Sequence, residues 1–503
     1  MTGGADEGLA DAFARRRAGV LLHPTSLPGP GDSGDLGPEA YRFVDFLQAS
    51  GCSIWQMLPL GPTHADRSPY QCLSVHAGNS ELVSLQALAQ DGWLEYDSDL
   101  PADGPGCGGR QARLEAAYNG FLRHGTESHR SEYQRFVERQ REWLEDYALY
   151  IALRAEHQDR AWLDWPAALR DRRSGALDEA HRRLAGPIEQ ARFEQFVFDR
   201  QWHQLRRYAN ERGILLFGDM PIFVAHDSAE VWAHREYFAL DEQGRQQVVA
   251  GVPPDYFSET GQRWGNPHYR WDRLEADGFG WWVQRMATQL QLFDLIRVDH
   301  FRGFQAYWEI PAEAETAVDG HWVEAPGEAL FTRLHEHFHQ LPLVAEDLGY
   351  ITPEVEALRR QFALPGMKIL QFAFGGGPDN PYLPHNHEPL SVVYTGTHDN
   401  DTSLGWFDGL AVETEAYVRD YLAAPDEPMP WPLMRAAFAS VAQLAVVPMQ
   451  DVMGLGSEHR MNVPGVSADN WRWRFEWDQV PADASGRLCH LAELYGRALA
   501  QDS

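Results

Sequence analysis

Eight short runs of apolar, β-prone residues recur along the chain, and this repetition constrains the fold more than any other feature. Most of the runs are separated by segments with helical patterning. Continuous apolarity is typical of strands that are buried on both faces of a parallel sheet. The runs occupy residues 18–29, 52–60, 213–224, 293–301, 341–349, 367–374, 391–401 and 444–454. We therefore predict an α/β fold, a closed (β/α)8 TIM barrel, with a doubly wound open sheet as the alternative.

Two connections between the predicted strands are too long for ordinary loops. Residues 75–190 carry helical patterns, so we expect an inserted, mainly helical subdomain there. Residues 225–280 are rich in Trp, Tyr, Gly and Pro. We expect them to form a loop-rich insertion above the carboxyl ends of the strands, with a lid at 251–267. The chain 1–503 is thus predicted to be a single barrel with insertions and no C-terminal β-sandwich.

The net charge of the chain excludes some classes of partner. The formal charge is -30. Nucleic acids and anionic membrane surfaces both need a basic protein face, so neither is an expected partner. Lys368 is the only lysine, which leaves no Gly-Lys-Ser/Thr phosphate loop and no other lysine for a Schiff base.

The cysteines and the N-terminal segment indicate a reducing compartment. Cys52, Cys72, Cys107 and Cys489 have neither the spacing of a disulfide framework nor that of a zinc site. No apolar stretch of signal-peptide or membrane-spanning length is present in the sequence. We expect a cytoplasmic protein with reduced thiols.

Four acidic residues close or directly follow apolar runs. They are Asp219, Asp299, Glu346 and Asp399. A single aspartate at a strand end more often caps a turn than it takes part in catalysis. In a (β/α)8 barrel, however, catalytic side chains come from the carboxyl ends of different strands. Four acids at equivalent positions predict a carboxylate site, and glycoside chemistry is the reaction class that requires paired carboxylates.

The neighbours of these acids suggest separate roles. Arg297 lies two residues before Asp299, so a strand directs both side chains to one side, and the guanidinium favours the anionic form that a nucleophile needs. Glu346 follows Leu-Val-Ala, and apolar surroundings would raise its pKa, as a general acid requires. His398 can bind vicinal hydroxyls while Asp399 stabilises positive charge at an anomeric carbon. A structural ion pair for Arg297 and a turn histidine for His398 are the alternatives.

Two other motifs are weak indications of metal or phosphate binding. His335, His337 and His339 lie in a helix-like segment and spread around it, which favours solvated side chains over metal ligands. The glycines at 375–377 lack the G-x-G-x-x-G pattern, so a turn is favoured over a phosphate site. No metal site is predicted.

At these acids the sequence resembles the α-amylase clan. Its four conserved regions are similar to GDMPIFVA (218–225), IRVDHFRG (296–303), VAEDLG (344–349) and GTHDND (396–401). Four further blocks narrow the resemblance to the amylomaltases, the 4-α-glucanotransferases of glycoside hydrolase family 77. These blocks are HPTSLPGPGDSGDLG (23–37), SPYQCLSVHAGN (68–79), GVPPDYFSETGQRWGNPHY (251–269) and RMNVPGVSADNWRWR (460–474).

The resemblance implies residue roles. It makes Asp299 the nucleophile, Glu346 the acid/base and Asp399 the stabiliser of the transition state. It also implies a substrate-binding set that consists of Tyr70, Asp219, Asp255, Tyr256, Phe257, Gln262, Trp264, Arg297, His300, His398 and Asn462. Within this set, Tyr70 would be an aromatic platform beneath the sugar, Asp219 a supporting acid, and the residues between 255 and 264 a lid on the acceptor side.

The resemblance also implies a reaction. The enzyme would move α-1,4-glucan segments from a donor malto-oligosaccharide to the 4-hydroxyl of an acceptor glucan or glucose. The mechanism would be a retaining double displacement, without a cofactor. The expected partners are α-1,4-glucans and malto-oligosaccharides, and the expected state is a monomer or homodimer. An α-glucan hydrolase with the same three acids is the closest alternative, and a glycan-binding protein without activity is another.

Overall fold

The computed structural model describes residues 12–29, 31–95, 109–254, 258–424, 426–466 and 468–499, and its central element is a parallel sheet of eight strands. The strands, numbered β1 to β8 in chain order, are Arg17–Leu21, Ile54–Gln56, Leu215–Met220, Leu295–Val298, Leu343–Ala345, Gly366–Ile369, Ser391–Tyr394 and Leu444–Pro448. Their order is β6, β7, β8, β1, β2, β3, β4, β5. Between the two end strands, the Ala345 N–H donates to the Pro365 carbonyl at 2.9 Å and closes the barrel. The predicted barrel is confirmed, and each predicted run overlaps one strand.

The strands alternate between two cores, as the period of two in a strand requires. All eight strands contribute to a buried apolar cluster that fills the barrel interior, with Phe217, Leu295 and Val344 among its members. The alternate residues, such as Leu216 and Ile296, belong to a larger cluster shared with the surrounding helices. Side chains two positions beyond the inner residues therefore meet at the carboxyl rim of the barrel.

The helices surround the barrel and fill the first long connection. They are Pro38–Ala49, Leu85–Gln90, Gly109–His124, Glu127–Arg139, Arg141–Glu156, Ala167–Arg170, Ser174–Arg183, Ala185–Asn210, Ala229–Ala233, Trp271–Ala276, Gly280–Leu292, Gly327–Phe338, Pro353–Gln361, Ser403–Asp408, Val412–Leu422, Trp431–Ala439, Met449–Met453 and Ala484–Leu494. The helix Ala185–Asn210 buries Phe193, Phe196 and Trp202 and leads into β3. The predicted subdomain boundary at residue 190 falls inside this helix.

A second, antiparallel sheet lies beside the barrel. Its four strands, in spatial order, are Gln262–Arg263, Val248–Val252, Ala306–Pro311 and His321–Glu324. Gly251 pairs with Trp308, and Trp308 pairs with Trp322, so the insertion after β3 is joined to the segment after β4. The insertion at 225–280, predicted to be loop-rich, therefore contains two of these strands, and the two strands within 306–324 are not predicted from the sequence. Residues 251, 252, 262 and 263 of the predicted lid thus belong to an ordered sheet.

Other features of the described residues bear on the sequence analysis. No helix in this part of the chain combines the length and apolarity needed to cross a bilayer. The same residues contain no cluster of three or more His, Cys, Asp or Glu that could hold a metal ion. Cys52, Cys72 and Cys489 are free thiols, whereas Cys107 lies outside the described residues.

Candidate active site

Strand register brings the predicted acids together at the carboxyl rim of the barrel. Val298 of β4 pairs with Ala345 of β5, and the next residues along the two strands are Asp299 and Glu346. The Glu346 N–H donates to the Val298 carbonyl at 3.0 Å, which continues the ladder by one residue. Asp299 and Glu346 are therefore neighbours on adjacent strands.

Arg297 joins two of the acids. Its Nη1 lies 2.6 Å from Asp219 Oδ2, and its Nη2 lies 2.9 Å from Asp299 Oδ1. The exposed fraction of the side chain is 1% for Asp219 and 26% for Asp299, so only Asp299 can meet a substrate. Burial raises the pKa of Asp219 to about 7, although the guanidinium opposes this shift. For Arg297, burial lowers the pKa, but the two carboxylates outweigh burial and keep the pKa well above its usual value.

Glu346 is held by backbone groups. Its Oε2 accepts a hydrogen bond from the His300 N–H at 2.7 Å, and its Oε1 accepts one from the Leu348 N–H at 3.0 Å. His300 adopts a left-handed conformation with φ of 49°, which costs about 1–2 kcal/mol for a residue other than glycine. Burial raises the pKa of Glu346 to about 7. A carboxyl group with this pKa can both give and take a proton near neutral pH.

The raised pKa of Glu346 makes a prediction about stability. The folded state binds the proton more tightly than the unfolded state between pH 4.5 and about 7. The contribution of Glu346 to wild-type stability should therefore fall by about 3 kcal/mol as the pH rises through this range, and Glu346→Gln should remove this share of the loss. The measurement is the free energy of unfolding from urea titrations at pH 4.5 and at pH 8. The variant's value minus the wild-type value should be about 3 kcal/mol larger at pH 8 than at pH 4.5.

A matched control uses a glutamate at the surface. Glu458 has a side chain that is 73% exposed. The variant Glu458→Gln should show the same pH dependence of unfolding as wild type. If Glu346→Gln also followed the wild-type curve, the proposed desolvated and protonated state of Glu346 would be wrong.

Asp399 follows β7 and is the most open of the four acids, with 47% of its side chain exposed. Asn462 Nδ2 donates to Asp399 Oδ1 at 2.6 Å, and Arg460 donates to the Asp399 carbonyl at 3.0 Å. His398 Nε2 lies 3.4 Å from Asp399 Oδ1. The predicted Asn462 thus orients a predicted catalytic acid.

Tyr70 connects the two sides of the rim. Its hydroxyl donates to Asp219 Oδ2 at 2.8 Å and lies 2.8 Å from His398 Nε2. Because the hydroxyl gives its hydrogen to Asp219, His398 is the donor in the second contact. The Tyr70 and His398 rings are stacked, with centroids 5.3 Å apart and an interplanar angle of 14°. One face of the Tyr70 ring is therefore occupied by His398.

The structure describes only some of the predicted lid residues. Asp255, Tyr256 and Phe257 lie outside the described residues. The Trp264 ring contacts the His300 ring edge-on at 4.8 Å, and Trp264 Nε1 donates to Gln262 Oε1 at 3.1 Å. His300 follows Asp299 and its N–H holds Glu346, so Trp264 reaches the site. Gln262 itself is exposed.

Several rim residues were missed by the sequence analysis. Trp471 packs within 5.9 Å of the Tyr70 ring and 6.0 Å of the His398 ring. His23, Gln56 and Gln371 are buried polar residues two positions beyond the inner residues Leu21, Ile54 and Ile369. Burial lowers the pKa of His23 to about 3, and the nearby His398 adds to the shift. The same alternation that aligned Arg297 with Asp299 could have identified these three rim residues.

Comparisons with known proteins agree on one family. A profile of glycoside hydrolase family 77, described as 4-alpha-glucanotransferase, matches residues 22–479. The 4-alpha-glucanotransferase of Thermus thermophilus is 52% identical over 491 residues, which cover 95% of this chain and 98% of that protein. The 4-alpha-glucanotransferase of Synechocystis sp. is 46% identical over 498 residues, covering 96% and 99%.

Solved structures extend the similarity to the fold. The amylomaltase from Streptococcus agalactiae, in complex with acarbose, has a TM-score of 0.92 and 36% identity, and the match covers 96% of this chain and 100% of that one. The amylomaltase from Corynebacterium glutamicum has a TM-score of 0.74 at 18% identity, covering 97% and 76%, which supports the fold alone. The match with the first structure includes the barrel and its insertions.

Proposed function

The chain belongs to glycoside hydrolase family 77, the 4-α-glucanotransferases, and we propose that it moves α-1,4-glucan segments from donor malto-oligosaccharides to the 4-hydroxyl of an acceptor glucan or glucose. The observation that carries the proposal is the pairing of two different carboxyl groups on adjacent strands. Asp299 sits against the Arg297 guanidinium, whereas Glu346 is half-buried and accepts hydrogen bonds from two backbone N–H groups, and desolvation raises its pKa to about 7.

The first step forms a glycosyl-enzyme ester. Asp299 attacks the anomeric carbon of the donor, and the bond from that carbon to the 4-oxygen of the next glucose breaks. Glu346 gives its proton to this departing oxygen. Arg297 holds Asp299 at 2.9 Å and orients it for attack.

The second step reverses the first with a new acceptor. Glu346, now anionic, takes the proton of the acceptor 4-hydroxyl, whose oxygen attacks the anomeric carbon and releases Asp299. Two inversions leave the α configuration unchanged. One α-1,4 bond is broken and one is formed, so the reaction needs neither cofactor nor external energy.

The other rim residues position the sugar and stabilise charge. Asp399, held by Asn462, is placed to stabilise the positive charge that develops on the anomeric carbon and ring oxygen. His398 is tied to both Tyr70 and Asp399, which suits it to bind hydroxyls of the same glucose. The free edge of the Tyr70 ring would border that glucose, with Trp471 beside it.

Maltotriose tests the proposed function and separates it from hydrolysis. Transfer yields glucose together with oligomers longer than maltotriose, and the total number of reducing ends stays constant. Hydrolysis yields only shorter sugars, and each event adds one reducing end. We expect a ladder of longer oligomers with constant reducing ends. Products of three glucose units or fewer, with rising reducing ends, would favour the hydrolase instead.

We propose that Trp264 and the lid favour transfer by holding an acceptor sugar where water would otherwise react. Trp264→Ala should raise the ratio of hydrolysis to transfer on maltotriose severalfold, measured as new reducing ends per oligomer formed. The control is Trp143→Ala, in the helix Arg141–Glu156 of the first insertion. An unchanged ratio of hydrolysis to transfer in Trp264→Ala would show that Trp264 does not favour transfer.

The cytoplasmic location and the monomeric or dimeric state remain predictions from the sequence. The same holds for the absence of nucleic acid and membrane partners.

A further inference from the structure

Tyr350 stands out among the aromatic side chains. Within the described part of the chain it is the only Phe, Tyr or Trp whose side chain is exposed, with a relative accessibility of 71%. Most rings of this size are buried because removing apolar surface from water stabilises the fold. An exposed aromatic ring with a polar tip is typical of binding surfaces.

The Tyr350 ring is supported from within the protein. The Arg302 guanidinium carbon lies 5.6 Å from the Tyr350 ring centroid and 3.6 Å from the Trp322 ring centroid. Arg302 is buried and also donates a hydrogen bond to the Tyr350 carbonyl. A ring that is already backed by a buried cation loses less conformational freedom when it binds a ligand.

Tyr350 lies near the catalytic acid. It is four residues beyond Glu346, a stretch that spans at most about 14 Å. The Leu348 N–H, between the two, holds the Glu346 carboxyl group at 3.0 Å. Trp322, on the other side of Arg302, belongs to the antiparallel sheet that carries the lid strand Val248–Val252. Tyr350 is therefore within about 14 Å of Glu346 along the chain, and Arg302 connects it to the sheet that carries the lid strand.

We propose that Tyr350 is a stacking platform for a glucose unit of a long glucan, on the side of the cleft that receives the acceptor. The side follows from Glu346, which exchanges its proton with the oxygen of the leaving or accepting chain. This inference rests on the proposed glucan transfer. A platform a few glucose units from Glu346 is reached by a long chain but not by glucose or maltose, so Tyr350 contributes to chain-length preference.

The test compares long and short acceptors. In Tyr350→Ala, the preference for short-chain amylose over maltotriose, expressed as the ratio of kcat/KM values, should fall about three- to tenfold. Tyr350→Trp should keep the preference, because stacking needs the ring and not the hydroxyl. Val412→Ala, at a site that is 78% exposed in the helix Val412–Leu422, is the control and should keep the wild-type ratio.

Affinity electrophoresis in gels that contain amylose gives a second readout independent of turnover. Tyr350→Ala should migrate faster than wild type, and Val412→Ala should not. An unchanged kcat/KM ratio and unchanged retardation would overturn the proposal, as would an equal loss on both acceptors. If the wild-type protein formed no oligomers longer than maltotriose, the proposed function would be overturned. The gel would still show whether Tyr350 contributes to amylose binding.

Discussion

Replacing Asp299 with asparagine is expected to lower the rate of glucan transfer by about 10⁴-fold or more. The amide is uncharged and cannot form the glycosyl ester, so the first displacement is lost. The fold should persist, because Arg297 keeps its 2.6 Å contact with the buried Asp219. The measurement is single-turnover and steady-state transfer from maltotriose, with circular dichroism to verify folding.

The strand that carries Asp299 offers a matched control. Asp294 precedes β4 at the opposite end of the barrel and pairs with Arg206 at 2.7 Å, much as Asp299 pairs with Arg297. Asp294→Asn removes the same charge from the residue before β4, away from the rim, and should change the transfer rate less than about threefold. Comparable losses in both variants would point to a general effect of charge on folding.

A trapping experiment separates a nucleophile from an ion-pair partner. A maltosyl fluoride donor has a leaving group that departs without protonation, so Glu346→Gln should still form the ester with it. Mass spectrometry of digested protein should then place the maltosyl group on the peptide that contains Asp299. The double variant Asp299→Asn, Glu346→Gln should show no modified peptide. A modified peptide elsewhere would reassign the nucleophile.

The barrel and the centre of its site could be predicted because both follow local rules. Buried parallel strands need continuous apolar runs, and the period of two then fixes which residues face the rim. This period of two predicts from the sequence alone that the side chains of Arg297 and Asp299 lie on the same side of the strand. The pairing of Val298 with Ala345 lies beyond such rules, since register between strands far apart in sequence depends on the closed barrel. It is this register that brings Asp299 next to Glu346.

The antiparallel sheet could not be predicted for a similar reason. Its strand His321–Glu324 has only four residues and finds its partners through tertiary contacts. The segments that pair, Val248–Val252 and Ala306–Pro311, are separated in sequence by two helices and a barrel strand. Propensity alone describes such short segments poorly. The exposure of the Tyr350 ring could not be predicted either, because exposure is a property of the folded surface.

At the amino-terminal end of the barrel strands, a buried arginine is expected to contribute most to the stability of the contact between β1 and β8. Arg497 is fully buried and donates to five backbone carbonyl groups. These carbonyls belong to Arg17, Phe438, Ser440, Ala442 and Gln443, at distances of 2.7 to 3.1 Å. They lie at the start of β1, at the end of the helix before β8, and in the turn between that helix and β8.

Within the described residues, no carboxylate forms an ion pair with the Arg497 guanidinium. Burial lowers the pKa of Arg497 to about 9, and repulsion by Arg16 adds to the shift. The side chain remains charged at neutral pH, and the carbonyl dipoles compensate for its lost hydration. Removing the guanidinium would take five hydrogen bonds from a charged donor away from these carbonyl groups, which is more costly than the loss of a single hydrogen bond. The Phe438 and Ser440 carbonyl groups would keep a hydrogen bond from Arg16, and the Gln443 carbonyl group would keep one from the Arg17 N–H.

Arg497→Met fills a similar volume without donors, and we expect it to lower the free energy of unfolding by about 3–5 kcal/mol. In a chain of this length the thermal midpoint should fall by about 4 °C. Arg497→Lys has three donors on a single nitrogen, so it should recover part of the loss. Because the site lies at the other rim, kcat for maltotriose at 25 °C should stay near the wild-type value in both variants. An unchanged midpoint in Arg497→Met would mean that water or Arg16 satisfies these carbonyls, and that the closure does not depend on Arg497.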